Sequence, residues 1–204
     1  MIGPLPLENV LDHLASAEPT PGGGTAAALA GATGAALAEM VLGLTLGKDK
    51  FKDREATLAP LLPQARNFRA LFLSLADQDS AAYEGFVRAM RLPKATPAEQ
   101  AARKAQLQGA ALVATEVPLA TMRAAAGLLA VLQSVAQLGN PNARSDAWVG
   151  AHFAWVAFEG GRLNVQANLD QLLPEHAARI RAEVAELAKR AEALHAGALA
   201  GAGP

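Results

Sequence analysis

Two aspartates stand in an otherwise apolar stretch, Leu75-Ala76-Asp77-Gln78-Asp79-Ser80-Ala81-Ala82-Tyr83. A carboxylate in apolar surroundings is a candidate for proton transfer, because burial raises its pKa towards the working range of a general acid or base. On a helix, two residues two apart point to different sides. Asp79 shares a face with Tyr83, and Phe86 continues that face, so Asp79 is the inward candidate and Asp77 flanks it. The alternative is that both are solvated. Asn142 and Asp146 are four apart and share a face if helical, although Asn142 would also serve as a helix cap. Asn164 and Asn168 are likewise four apart, between leucines. Asparagine is a mediocre helix former, so this pair reads either as ligand-reading amides or as cross-links between helices. Lys48, Lys50 and Arg54 form a charge cluster with the spacing of a solvated helix cap.

The four histidines, His13, His152, His176 and His195, include no pair at metal-ligand spacing, and the chain has no cysteine. Thiol nucleophiles, disulfides and cysteine-ligated metals are excluded, and no metal site is expected. His13, His176 and His195 lie in charged sections and are expected at the surface. His152, between Ala151 and Phe153, is expected in the core or an interface. None is given a role.

The stretch that must position these groups is Pro19-Thr20-Pro21-Gly22-Gly23-Gly24-Thr25. Its prolines and glycines cannot sit inside a regular element, and the small apolar residues after it, to about Leu46, read as helix. The first amides of such a helix have no internal acceptor, so the loop is either a seat for an anion or heterocycle or a tight entry turn. It lacks the Gly-Lys-Ser/Thr of a P-loop and the strand before a dinucleotide fingerprint. In the following helix, Gly24, Ala28, Ala32 and Ala36 recur every fourth position, flanked by Ala27, Gly31 and Ala35. Faces that flat belong in the middle of a bundle or at a subunit interface.

Helical spacing recurs along the rest of the chain. Leu7, Val10, Leu11 and Leu14 form a stripe over 5–16. A third helical region spans 53–92, interrupted near Pro60 and Pro63 and clean from Gln64 to Arg91. Thr96-Pro97-Ala98-Glu99 has the form of a capping box, opening a helix to Leu138 with a kink near Ala114 caused by Pro118. Helix resumes at Asn142, with a kink or short break at Glu159-Gly160-Gly161, and continues to Leu172. Pro174 opens a last helix to about Ala196, and 197–204 is a frayed tail. No strand alternation or solenoid period is present. The expectation is an all-α single domain over 1–204, a bundle of about six to eight helices around a buried Ala/Gly-rich helix.

The chain has 204 residues, 51% hydrophobic and 4% aromatic, so its core must come from closely packed alanine, leucine and valine. A net charge of -1 argues against bulk nucleic-acid binding, which needs a basic face. Thr25 to Leu46 is long enough to cross a bilayer, but it is mostly alanine and glycine and contains Glu39, so it reads as a core helix. No signal peptide is read at the N-terminus. The protein is expected to be cytoplasmic, with no membrane or nucleic-acid partner.

An ordered set of motifs resembles the cyclodeaminase/cyclohydrolase family: Pro19-Thr20-Pro21-Gly22-Gly23-Gly24-Thr25-Ala26, Leu44-Thr45-Leu46-Gly47-Lys48, Asp77-x-Asp79-x-x-x-Tyr83 and Arg91-Leu92-Pro93-Lys94-Ala95-Thr96. Val117-Pro118-Leu119, Gly139-Asn140-Pro141-Asn142, Ser145-Asp146 and Asn164-Val165-x-x-Asn168-Leu169 follow in order. Phe51 stands where the family pattern suggests tyrosine, and Thr25 replaces a serine while keeping the hydroxyl.

The resemblance implies a helical, homodimeric enzyme of folate one-carbon chemistry. It would be a methenyltetrahydrofolate cyclohydrolase or a formiminotetrahydrofolate cyclodeaminase, with no metal or cofactor beyond its tetrahydrofolate substrate. Both reactions pass through a tetrahedral carbon between N5 and N10 and need a proton moved between a nitrogen and a nearby group, a task for a carboxylate. Asp79 is the expected acid/base. Asp146 either shares that role or grips the pterin edge. Gly22, Gly23, Gly24, Thr25, Asp77, Tyr83, Asn142, Asn164 and Asn168 are the expected substrate contacts, with Lys48 for the glutamyl tail. A separate formiminotransferase would be a partner of the cyclodeaminase. The alternatives are a folate-binding relative without turnover and a helical interaction module.

Overall fold

Proline positions and one capping box punctuate the elements of this chain, whose structure is a computed structural model describing residues 2 and 5–200. The described residues contain seven α-helices and no strand. They are α1 (Leu7–Ala15), α2 (Gly23–Gly43), α3 (Glu55–Leu58), α4 (Leu61–Met90), α5 (Pro97–Leu138), α6 (Arg144–Asn168) and α7 (Pro174–Ala198). The expected all-α bundle is therefore present, within the expected helix count. The end of the anticipated frayed tail, 201–204, lies outside the described residues. The helix before it runs on to Ala198.

The punctuation works as its chemistry requires. The Thr96 hydroxyl accepts from the Glu99 amide at 3.2 Å, and the Glu99 carboxylate accepts from the Thr96 amide at 2.8 Å, a complete capping box. Pro63 falls in the first turn of α4, where its missing N–H removes no helical bond. One expected break does not exist: α6 runs unbroken through Glu159-Gly160-Gly161. Those glycines serve close approach instead. A Cβ on Gly160 would lie 2.6 Å from Ala27 Cβ, and one on Gly161 2.8 Å from the Pro118 carbonyl oxygen.

Buried residues of α2, α4, α5, α6 and α7 form one contiguous cluster. α2 packs against α4, α6 and α5. Gly24, Ala27, Ala28, Gly31, Ala32 and Ala35 are all buried, as their spacing required, but Ala36 is exposed with Thr33 and Met40 on an open stripe. At Gly31 the fit is tightest, with the Phe72 ring where a Cβ would stand. α2 and α5 are both long and apolar enough to cross a membrane, yet half of the most apolar stretch of α2 and two-thirds of that of α5 are buried inside the bundle.

α1 keeps less of its stripe inside than the spacing suggests. Val10 is buried, whereas Leu7 and Leu11 are exposed. His13 is exposed as expected, and His152 is exposed too, which removes the core alternative for it. His195, expected at the surface, is instead half-buried, stacked on Trp155 with its Nε2 3.3 Å from His152 Nδ1. Burial, then the neighbouring His152, lowers the His195 pKa.

Candidate active site

α2 and α6 run antiparallel. Gly23 faces Asn164, Gly160 faces Ala27, and Gly34 faces Gly150 and Ala154. The start of α2 therefore meets the end of α6, and α4 and α5 close the sides. Where they meet is a polar cavity of about 310 Å³ lined by residues of the proline-glycine loop, Asp79, Tyr83, Phe86, Ala114, Asn164 and Asn168. Gly22, Gly23 and Gly24 form one wall. A wider apolar groove of about 860 Å³ lies between α4 and α5, with Arg88 its one charged lining residue and no acid or base facing another.

Asp79 is the one charged side chain lining the polar cavity. Its Oδ2 accepts from the Thr25 hydroxyl at 2.9 Å, and Thr25 is itself fully buried. Burial raises the Asp79 carboxyl above the ordinary carboxylate range. Hydrogen bonds from the Thr25 hydroxyl and amide pull it part of the way back. Gly24 explains how the carboxylate fits, since a Cβ there would lie 2.2 Å from Asp79 Oδ1. The amides of Gly23 and Gly24 open α2 and, like all helix N-terminal amides, have no intrahelical acceptor.

Asn164 and Asn168 present the same chemistry twice. Asn164 Nδ2 donates to the Gly160 carbonyl at 2.8 Å, and Asn168 Nδ2 to the Ala114 carbonyl at 2.9 Å. Each amide nitrogen is anchored to a backbone carbonyl through one of its two N–H groups, and among the described residues neither Oδ1 has a protein donor, so each side chain still has an acceptor to offer. Such a pair matches a ligand edge that carries N–H donors.

Four of the sequence candidates lie elsewhere. Gly23 to Gly43 spans about 30 Å of helix, which carries Lys48 to the opposite end of the bundle. Asp146 is eighteen residues before Asn164 on α6, about 27 Å along the axis. Asn142 sits beside it, exposed, in the 3₁₀ turn Pro141–Ala143, whose cap is Asn140 rather than Asn142. Asp146 occupies the first turn of α6, where a carboxylate is favourable against the helix dipole. Arg54 donates to the Leu138 carbonyl at 3.1 Å, the capping role its cluster suggested. Phe51 is buried at this far end, with Lys50 over its ring. Asp77 also stays out of the cavity and accepts from the Ile2 amide at 2.6 Å.

Two lining residues carried no sequence signal strong enough to single them out. Thr20 contributes a buried hydroxyl without a partner, and Gln171 closes the α6 end. Thr20 lies between the two prolines of the loop, so it was visible as part of a motif but not as a site atom.

A sequence profile of the formiminotransferase-cyclodeaminase family matches residues 6–189. The chain belongs to that family. Over 168 residues it is 42% identical to a methenyltetrahydrofolate cyclohydrolase of Methylorubrum extorquens, covering 82% of this chain and 81% of that one. Over 188 residues it is 36% identical to the formimidoyltransferase-cyclodeaminase of Sus scrofa. That match covers 92% of this chain but 35% of the longer pig protein. In three dimensions the chain resembles the formiminotetrahydrofolate cyclodeaminase of Thermotoga maritima, with a TM-score of 0.88 and 28% identity over 98% of this chain and 96% of that one. The family motifs at Gly22–Gly24, Asp79–Tyr83 and Asn164–Asn168 are the ones that converge on the cavity, and fully buried Thr25 reaches it only through its bond to Asp79.

Proposed function

We propose that this protein interconverts reduced folates at the one-carbon bridge, as a methenyltetrahydrofolate cyclohydrolase, with Asp79 as its acid/base. The observation that carries the reading is a lone, pKa-raised carboxylate in the same polar cavity as two backbone-anchored asparagine amides. The methenyl bridge is cationic, so the one charge lining the cavity has the sign that attracts it. Water adds to the bridge carbon and passes a proton to the Asp79 carboxylate. Protonated Asp79 then returns that proton to N5 as the C–N5 bond breaks, and the carbinol hydroxyl gives up its remaining proton to solvent, leaving the formyl group on N10. The acceptors of Asn164 and Asn168 read the donor edge of the pterin. Gly22, Gly23, Gly24 and the Thr20 hydroxyl meet its polar atoms, and Tyr83 and Phe86 cover its faces. No metal or further cofactor is invoked.

The likeness to the Thermotoga maritima cyclodeaminase over nearly the whole chain favours one second reading. There N10 attacks the formimino carbon, and Asp79 protonates the departing nitrogen, which leaves as ammonia. A separate formiminotransferase would supply that substrate. In either case we place the enzyme in the cytoplasm as a single-domain homodimer. The interface would be the exposed apolar stripe of Val149, Phe153, Val156 and Leu163 on α6 with Met40 of α2. A two-fold axis across these antiparallel helices sets the far end of one copy beside the cavity of the other. Lys48, Asn142 and Asp146 contact substrate by that route.

The test follows the methenyl chromophore, which is consumed by the hydrolase and produced, with ammonia, by the deaminase. Asp79→Asn should lower turnover about 10²–10⁴-fold while folate affinity changes little. Wild-type protein that handles neither substrate, or Asp79→Asn protein with normal turnover, refutes the reading.

A further inference from the structure

Pro118 stands inside α5, buried, with the helix continuing on both sides. In an α-helix the amide of residue 118 would bond the carbonyl of residue 114. Proline has no amide hydrogen, and its ring pushes against that carbonyl. The Ala114 carbonyl is thus deprived of its helical donor and displaced from it. The donor it finds is Asn168 Nδ2, at 2.9 Å, fifty-four residues away in sequence. Ala114 and Asn168 both line the polar cavity.

An asparagine amide fits its space almost equally well either way round, so hydrogen bonding decides its orientation. With Nδ2 on the Ala114 carbonyl, Oδ1 must turn away from α5. Among the described residues it has no protein donor. Asn164, one turn earlier, is fixed the same way by the Gly160 carbonyl.

We propose that Pro118 is a positioning residue of the site. By freeing the Ala114 carbonyl it locks the Asn168 amide in the one orientation that offers an acceptor to the ligand. The identity of that ligand rests on the folate reading; the lock does not. The donor edge of a reduced pterin is then met by an acceptor held in a fixed place at Asn168.

The experiment combines Pro118→Ala, Asn168→Ala and the double variant in the full chain. It reads KM and kcat for methenyltetrahydrofolate, the dissociation constant for 5-formyltetrahydrofolate, and the side-chain amide resonances of Asn168. In Pro118→Ala the restored backbone amide competes for the Ala114 carbonyl. KM and the dissociation constant should rise about 3- to 10-fold, the worth of one ordinary hydrogen bond, with kcat little changed. The Asn168 amide protons should lose their protection from exchange. The double variant should be no worse than Asn168→Ala alone, since there is then no amide left to orient. A Pro118→Ala effect that persists undiminished in the Asn168→Ala background, or an Asn168 amide unchanged by Pro118→Ala, overturns the proposal. Wild-type protein that ignores folates while its Asn168 amide still responds to Pro118→Ala keeps the lock and removes the folate.

Discussion

Replacing Gly24 by alanine should separate activity from stability. The added Cβ would stand 2.2 Å from Asp79 Oδ1, 2.6 Å from its Cγ and 2.8 Å from Oδ2, where ordinary contact begins at 3.4 Å. The carboxylate must therefore retreat by more than 1 Å (3.4 minus 2.2). A retreat of that size breaks the 2.9 Å bond from the Thr25 hydroxyl. A misplacement of about 1 Å in a reacting group costs on the order of 10²-fold in rate. The stability terms oppose one another. Losing the hydrogen bond costs about 1 kcal/mol, and alanine in place of glycine within a helix returns about 0.5–1 kcal/mol. Gly24→Ala should thus melt within a few degrees of wild type while kcat/KM for methenyltetrahydrofolate falls about 100-fold. Activity within threefold of wild type would show that the position of Asp79 does not set the rate. Unfolding of the variant would show that the glycine serves packing rather than the site.

Gly31→Ala should act in the opposite way, destabilising by about 1–3 kcal/mol, because its Cβ meets three atoms of the fully buried Phe72 ring at 2.5–2.6 Å. Equilibrium denaturation that shows no loss would mean the α2–α4 contact can relax. The raised pKa of Asp79 has a signed consequence for folding. Its contribution is fully present below the unfolded carboxylate pKa and is lost as pH climbs through the higher folded value. Wild type should lose stability relative to Asp79→Asn over that window, and parallel stability–pH curves would refute it. Mixing Asp79→Asn with Asp146→Asn protein tests the composite site. Randomised dimers should recover about a quarter of wild-type activity, since half the dimers are hybrid and each hybrid holds one intact site. An Asp146→Asn variant that is active by itself removes Asp146 from catalysis.

Periodicity made part of the site legible. Asp79, Tyr83 and Phe86 share one face of α4, and all three line the cavity. Asp77, two residues back, falls on another side and meets the Ile2 amide instead. The Asn164–Asn168 pair stood out because its residues suit a helix poorly, and its spacing placed both on one face. Such local geometry survives folding because a helix is rigid. The same reasoning failed at Gly160-Gly161, where two glycines read as a break. A glycine pair carries one signal for two causes, and the close approach of Ala27 and Pro118 was the real one.

What sequence order could not supply was direction. Lys48, Asn142 and Asp146 belong to the same ordered motif set as Asp79. Nothing in that order says that α2 carries Lys48 about 30 Å from Gly23, or that α6 returns antiparallel so that Asn164, not Asp146, meets the loop. Pro118 shows the same gap at the scale of one bond. Read locally, it is a defect that weakens α5. In the folded chain the carbonyl it releases is the anchor of an amide on another helix. The physical cost is written in the sequence at position 118. Its use appears only once Asn168 has been brought alongside, so a helix-breaking residue retained in a buried helix is a place to look for a partner from elsewhere in the chain.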